Sequence, residues 1–141
     1  MFMGNFTHSL DDKGRVAIPS EWRGNGDCQI VQWVITQGFD GCLLLYTESE
    51  WKSFIEKIEK LPYAHEKNRI IMRKMISPAR YAGADKQGRI LIPQNLRESV
   101  GIDKEVILAG LVKRIEIWDK DQYNTIMEKS LSENDVMHLD F

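Results

Sequence analysis

Asp11-Asp12-Lys13-Gly14-Arg15-Val16-Ala17-Ile18-Pro19 recurs in the second half of the chain as Asp85-Lys86-Gln87-Gly88-Arg89-Ile90-Leu91-Ile92-Pro93. The match runs on to Arg23 over Arg97, and six of the thirteen aligned positions are identical. The identities include Gly, Arg and Pro, and turns and helix starts demand Gly and Pro for steric reasons. The likeness resumes downstream at a changed offset. Val34-Ile35 lies over Val106-Ile107, Gly38 over Gly110, Leu43 and Leu45 over Ile115 and Ile117, and Tyr46 over Trp118. Trp51, Phe54 and Ile55 follow over Tyr123, Ile126 and Met127, and the first copy carries two extra residues between Arg23 and Val34. Two blocks in one order imply a supersecondary unit used twice.

Each unit reads as a strand, an Asp-x-x-Gly-Arg hairpin turn and a second strand. A Pro then opens a short helix, Ser20 to Trp22 in one copy and Gln94 to Ser99 in the other, because its missing N–H costs nothing at the first helical position. Two further strands are expected near Ile30–Thr36 and Cys42–Tyr46, and near Glu105–Ala109 and Arg114–Trp118. An amphipathic helix closes each unit. Thr47 and Glu50 have capping-box spacing, and Trp51, Phe54, Ile55, Ile58 and Leu61 make one apolar stripe. Tyr123, Ile126, Met127 and Leu131 make the other. Such stripes read as core or subunit contact. Between the units, Ile70, Ile71, Met75 and Ile76 fall at helical spacing in a segment from Ala64 to Ser77, which also carries Lys67, Arg69, Arg73 and Lys74. The fold class is mainly β with helices (α+β), organised as halves at 5–47 and 79–122, a joining helical segment at 48–78, and a C-terminal helix and tail at 123–141. The acidic tail from Ser132 to Phe141 is weakly patterned and reads as disordered or as docking on a partner.

Composition narrows the function classes. Of 141 residues, 43% are apolar and 28% charged, as in an ordinary globular protein. No segment approaches the ~20 apolar residues of a membrane helix, and Met1 to Asn5 lack the basic-then-apolar pattern of a secretory signal. Cys28 and Cys42 make no C-x-x-C pair and are expected as reduced cytosolic thiols. They and His8, His65 and His138 show no metal-ligand spacing, so neither metal nor cofactor is expected. The formal charge is −2. Nucleic-acid binders are usually basic, so any such function must gather its cations locally.

The turn residues divide into two groups. Gly14 and Gly88 suit a position of positive φ, and Asp11 and Asp85 suit turn entry, where a carboxylate accepts the N–H groups that follow. Those are structural roles. Arg15 and Arg89 need a further reason. Strand alternation puts Val16 and Ile18 on one face and Arg15 and Ala17 on the other, and likewise separates Ile90 and Ile92 from Arg89 and Leu91. With the Val/Ile face in the core, each arginine stands on the outer face at its turn. Arg15 could pair with Asp11 and do no more than stiffen the turn. Alternatively, Lys13, Arg15, Lys86 and Arg89 project as a basic ridge. A two-stranded ribbon fits the B-DNA major groove, where arginine contacts phosphate or pairs with guanine O6 and N7. Asp11 orienting Arg15 is compatible with both.

At these residues the chain resembles the MraZ family of bacterial transcriptional regulators. Met1-Phe2-Met3-Gly4, the first turn, Gly38-Phe39-Asp40-Gly41-Cys42-Leu43, Leu45-Tyr46, the second turn and Arg114-Ile115-Glu116-Ile117-Trp118 look like the family pattern, and the resemblance spans residues 1 to about 128. Trp22 to Gln32 departs from it. The resemblance implies a tandem swapped-hairpin AbrB-like β-barrel with pseudo-two-fold duplication. It implies a ring-shaped homo-oligomer, commonly an octamer, in the cytoplasm and on the nucleoid. It implies double-stranded promoter DNA as partner: repeated G-rich boxes before the division and cell-wall gene cluster, repressed together with the protein's own expression. The family's Asp-x-x-x-Arg DNA-binding motif falls on Asp11 and Arg15, and on Asp85 and Arg89, with Lys13 and Lys86 adjoining.

Two other classes of protein compete with this reading. An enzyme could pair Asp11 with Asp85, but no nucleophile with its base, no phosphate loop and no metal spacing accompanies them, so the chain is expected not to be an enzyme. Swapped-hairpin barrels also serve as antitoxins or scaffolds. The ten-residue tail is short for a partner-binding segment.

Overall fold

The computed structural model describes residues 1–26 and 29–139; Cys28, whose redox state was expected above, lies outside them. The first copy supplies β1 (Asn5–Ser9), β2 (Arg15–Ala17), a 3₁₀ turn (Ser20–Trp22), β3 (Gln32–Gln37), β4 (Leu43–Thr47) and α1 (Glu48–Glu59). A connecting α2 (Glu66–Ile71) runs into a π turn (Met72–Ile76). The second copy supplies β5 (Arg80–Gly83), β6 (Arg89–Leu91), α3 (Gln94–Ser99), β7 (Glu105–Leu111), β8 (Arg114–Asp119) and α4 (Lys120–Ile126).

The halves interleave. β1 pairs with β7 of the second copy, β5 pairs with β3 of the first, and β2 pairs with β6, all antiparallel. The result is a six-stranded sheet, β1-β7-β8-β4-β3-β5, closed over by the β2-β6 ribbon. Neither Asp-x-x-Gly-Arg turn therefore joins two strands that pair with each other, which corrects the simple hairpin expected from the sequence. The turn itself closes locally, with Asp11 N–H to Arg15 O at 2.9 Å and Gly14 N–H to Asp11 O at 3.0 Å. The departing strand then crosses the pseudo-two-fold. A three-residue strand cannot bury Val16 and Ile18 by itself. Packed against Ile90 and Ile92, all four become fully buried, which at roughly 25 cal/mol per Å² of apolar area favours the exchange.

The sheet has two dry faces. Trp33, Ile35, Leu43, Leu45, Val106, Leu108, Ile115 and Ile117 point inward to the ribbon. Val34, Leu44, Tyr46, Ile107 and Trp118 point outward, under Trp51 and Phe54 of α1, Met75 of the π turn, and Tyr123 and Ile126 of α4. Both-face burial explains why these strands read as continuous apolar runs. Buried Thr36 donates its hydroxyl to Met75 O, pinning the π turn to β3.

This facing amends the repeat alignment. Val34 faces outward while Val106 faces inward, so Val34 corresponds to Ile107 and Trp33 to Val106. One of the two extra residues in the first copy thus lies before β3. The other lies in the β3–β4 turn, where Asp40 and Gly41 take left-handed φ of 66° and 92°. The matching β7–β8 turn is tighter and places Val112 at φ 64°. That is rare for a β-branched residue. Val112 is held there by paired bonds with Phe2, N–H to O at 2.7 Å and O from N–H at 2.8 Å. The Val112 side chain is 57% exposed, so Val112→Gly loses little packing. It relieves about 1–2 kcal/mol of left-handed strain against about 0.5–1 kcal/mol of added chain entropy. A urea midpoint raised at unchanged slope is expected; a lowered midpoint counts against strain at this turn.

Helix ends follow their caps. Thr47 Oγ1 accepts Glu50 N–H at 3.2 Å, the backbone half of the expected capping box. Asp119 caps α4 in the same way through Gln122 N–H at 3.2 Å. α4 stops at Ile126, so Met127 and Leu131 of the expected stripe stand exposed. Ser132 and Asp135 form a reciprocal capping box that starts a short α5 (Glu133–Val136), followed by a 3₁₀ turn, Met137–Leu139.

Candidate nucleic-acid interface

Each turn is organised by its aspartate. Asp11 Oδ1 accepts the N–H groups of Lys13 and Arg15, both at 2.9 Å, and Oδ2 accepts Arg15 Nε at 2.7 Å. Asp85 repeats this with the N–H groups of Gln87 and Arg89 at 2.9 Å and Arg89 Nε at 2.8 Å. Gly14 and Gly88 supply the left-handed corner at φ 81° and 74°. The turn expected for Asp and Gly, and the Asp–Arg pair, are therefore present in both copies.

What the sequence did not show is that the two turns meet. Val16 opposes Ile90, and Arg15 and Arg89 lie on the outer face of the ribbon, diagonal across Ala17 and Leu91. Arg89 Nη1 stands 3.6 Å from Asp11 Oδ2, and Arg15 Nη1 stands 4.0 Å from Asp85 Oδ2. Two aspartates and two arginines thus form a reciprocal ring across the pseudo-two-fold, each side chain about 30% exposed. Lys13 and Lys86 flank it, both exposed. They are not equivalents: Lys13 aligns with Gln87 and Lys86 with Asp12, so the two turns carry their extra cation at different points.

The ring sets the protonation of its carboxylates. The Arg15 backbone N–H, with its guanidinium and the Lys13 N–H, holds the Asp11 carboxyl down to about 2. The Arg89 backbone N–H acts likewise on Asp85 and lowers it. Both are anions at neutral pH, committed to their donors. The turns are adjacent, so distance does not separate the two carboxylates. Deprotonated at neutral pH, with oxygens that already accept from nearby N–H donors, they are poor general acids or bases. The sign for stability follows: these groups stabilise the fold above the ordinary carboxylate range, and that contribution is lost as pH falls from about 4 through about 2. In thermal melts, the gap between the native chain and Asp11→Asn should shrink across that window. A gap independent of pH would contradict the assignment.

Two more arginines lie at this pole. Arg23 Nε donates to Ile18 O at 2.5 Å, and its side chain fills the space toward which a Cβ on Gly88 would point. Arg97 occupies the matching space at Gly14. Their identity in the repeat was the one sequence signal for them. Lys13, Arg15, Arg23, Lys86, Arg89 and Arg97 therefore share this pole with Asp11, Asp12 and Asp85, while α1 elsewhere carries Glu48, Glu50, Glu56 and Glu59 against Lys52 and Lys57. Away from this pole, Cys42 is a free buried thiol; burial pushes its acidity far down, with Glu116 adding to the effect. Among the described residues no cluster of His, Cys, Asp and Glu could hold a metal, and no helix is long and apolar enough to cross a membrane.

Interleaved copies with matched Asp–Arg turns at one end define a tandem swapped-hairpin protein with AbrB-like halves. A family model described as "MraZ protein, putative antitoxin-like" matches twice, over residues 1–74 and 75–140. The chain belongs to the MraZ family. A protein named transcriptional regulator MraZ from Pediococcus pentosaceus is 44% identical over 130 residues, covering 92% of this chain and 89% of that one. Its namesake from Clostridium acetobutylicum is 42% identical over 137 residues, covering 96% and 94%. That from Pelotomaculum thermopropionicum is 45% identical over 124 residues, covering 87% and 83%.

Proposed function

We propose that this chain is a sequence-specific transcriptional regulator that binds double-stranded promoter DNA through the paired Asp–Arg turns, with no cofactor and no catalytic role. The reciprocal ring carries the reading. Each Nε is fixed on its own carboxylate and each Nη1 leans toward the opposite one, so Nη2 is the end left to face outward. Presented on a two-stranded ribbon, that end suits guanine O6 and N7 in the major groove, or a phosphate. Lys13 and Lys86 then add phosphate contacts. Following the family resemblance, the DNA is a set of repeated G-rich boxes before the division and cell-wall gene cluster, including the protein's own promoter. The effect is repression, exerted in the cytoplasm on the nucleoid.

Self-assembly completes the proposal. Around the β7–β8 turn the chain exposes Met1, Met3, Leu111 and Val112, a grouping that suits contact between copies. A ring, an octamer by resemblance, multiplies the basic ribbons, and linked weak contacts raise avidity by roughly 10²–10⁴ over one site. This is how a chain of charge −2 binds a polyanion. The family description also favours an antitoxin-like reading, and exposed Leu131, Met137 and Leu139 of the tail would serve a partner; a stoichiometric second protein on purification supports it.

Footprinting on DNA upstream of the protein's own gene tests the main reading. Evenly spaced protected boxes, with affinity falling steeply as salt rises, are expected. Protection no better than on unrelated DNA would sink it.

A further inference from the structure

We propose that Arg23 and Arg97 are positioning residues that act across the pseudo-two-fold, Arg97 setting the Asp11–Arg15 turn and Arg23 setting the Asp85–Arg89 turn. The inference rests on the DNA-binding reading only for its functional consequence.

The geometry is reciprocal. A Cβ built on Gly14 would meet Arg97 Cζ at 2.8 Å and both Nη atoms at 3.0 Å. Three atoms of one planar group nearly equidistant from a point mean that the plane faces that point. The Arg97 guanidinium therefore lies flat against the turn glycine of the other copy. Arg23 does the same at Gly88, where Nε, Cζ and Cδ are its nearest atoms. The backbone repeats the crossing: Ile18 N–H donates to Gly88 O at 2.9 Å and Ile92 N–H to Gly14 O at 3.0 Å. Because Arg23 Nε also donates to Ile18 O at 2.5 Å, one link joins Arg23, Ile18 and Gly88. The second brace is different. Arg97 Nε is buried with no hydrogen-bond partner among the described residues, so Arg97 is held by stacking and the first turn has the looser support.

A lysine keeps the charge at either position but has no plane to lay against a glycine. Arg97→Lys and Arg23→Lys thus separate positioning from charge. In the free full-length protein, Arg97→Lys should speed amide exchange several-fold at Lys13 to Arg15 while leaving Gln87 to Arg89 within about twofold, and Arg23→Lys should do the reverse; contacting residues commonly couple at this strength. Faster exchange at a variant's own turn, equal change at both turns, or no change overturns the proposal. Binding to the upstream DNA is the second readout. Arg97→Lys should weaken it several-fold alone and in Arg89→Ala, and add under about twofold in Arg15→Ala, whose turn is already disabled. The same factor in both backgrounds overturns the functional half. The two ideas fail separately: a native protein that ignores its upstream DNA defeats the DNA reading, whereas good binding with the wrong exchange pattern defeats only the braces.

Discussion

Arg15→Ala combined with Arg89→Ala is expected to abolish promoter binding while leaving the fold and the assembly in place. The fold survives because each aspartate keeps two backbone donors, Lys13 and Arg15 N–H for Asp11 and Gln87 and Arg89 N–H for Asp85. Binding fails for two reasons that add. The outward guanidinium donors disappear, at about 1–3 kcal/mol for each well-made base contact. The carboxylates, stripped of their side-chain partners at 2.7 and 2.8 Å, also turn the pole toward negative charge. A loss beyond about 100-fold per chain pair of turns follows from two such contacts, and the log K against log salt slope should flatten by roughly one unit for each phosphate contact removed. Arg15→Lys with Arg89→Lys retains charge without the fork and should recover salt-sensitive but weakly selective binding. A gel shift at fixed salt that matches the native protein would remove these arginines from the interface. Because the contacts to the other copy's aspartate, at 3.6 and 4.0 Å, are longer than those within each turn, each single variant should chiefly disable its own turn.

Between the two turn glycines, the larger effect on stability is expected at Gly88→Ala, followed by Gly14→Ala. An alanine at φ 74° or 81° costs about 1–2 kcal/mol in the left-handed region. At Gly88 the new methyl also displaces Arg23, whose bond to Ile18 O at 2.5 Å belongs to the charge-assisted class worth about 1.5–3 kcal/mol. A total of roughly 2.5–5 kcal/mol is therefore expected there by urea unfolding. Gly14→Ala displaces only the stacked Arg97 and should cost about half as much. Gly26→Ala is the control: φ is 53° and nothing among the described residues lies within 4 Å, so the backbone cost is the one expected. Equal losses at all three glycines would show that the arginines contribute nothing to the turns.

Much of this molecule was legible in the chain. The repeat, the Gly and Asp of each turn, the inward Val16, Ile18, Ile90 and Ile92, and the Pro19 and Pro93 helix starts all follow from local rules that involve a few neighbouring residues. So does the outward setting of Arg15 and Arg89. The readings that failed each needed a partner. Val34 and Val106 look alike in sequence, yet one faces the helices and the other the ribbon, because the extra residue in the β3–β4 turn changes the offset after the strand rather than before it. Helix α4 ends at Ile126, so Met127 and Leu131 of the expected stripe lie beyond it, exposed on the single chain.

The paired turn is where the division shows best. Residue types and spacing determined by themselves that the chain holds two Asp-x-x-Gly-Arg turns, and they left open whether each arginine pairs with its own carboxylate four residues before it. Only the tertiary structure decided that β2 pairs with β6 rather than β1, and hence that the turns face each other as one ring with Arg23 and Arg97 crossed beneath them. The alternatives, Arg89–Leu91 of β6 and Asn5–Ser9 of β1, are both short strands, and local propensity does not choose between them. What separates them is the buried area gained when two three-residue strands close a shared core, a quantity that exists only once both halves are in place.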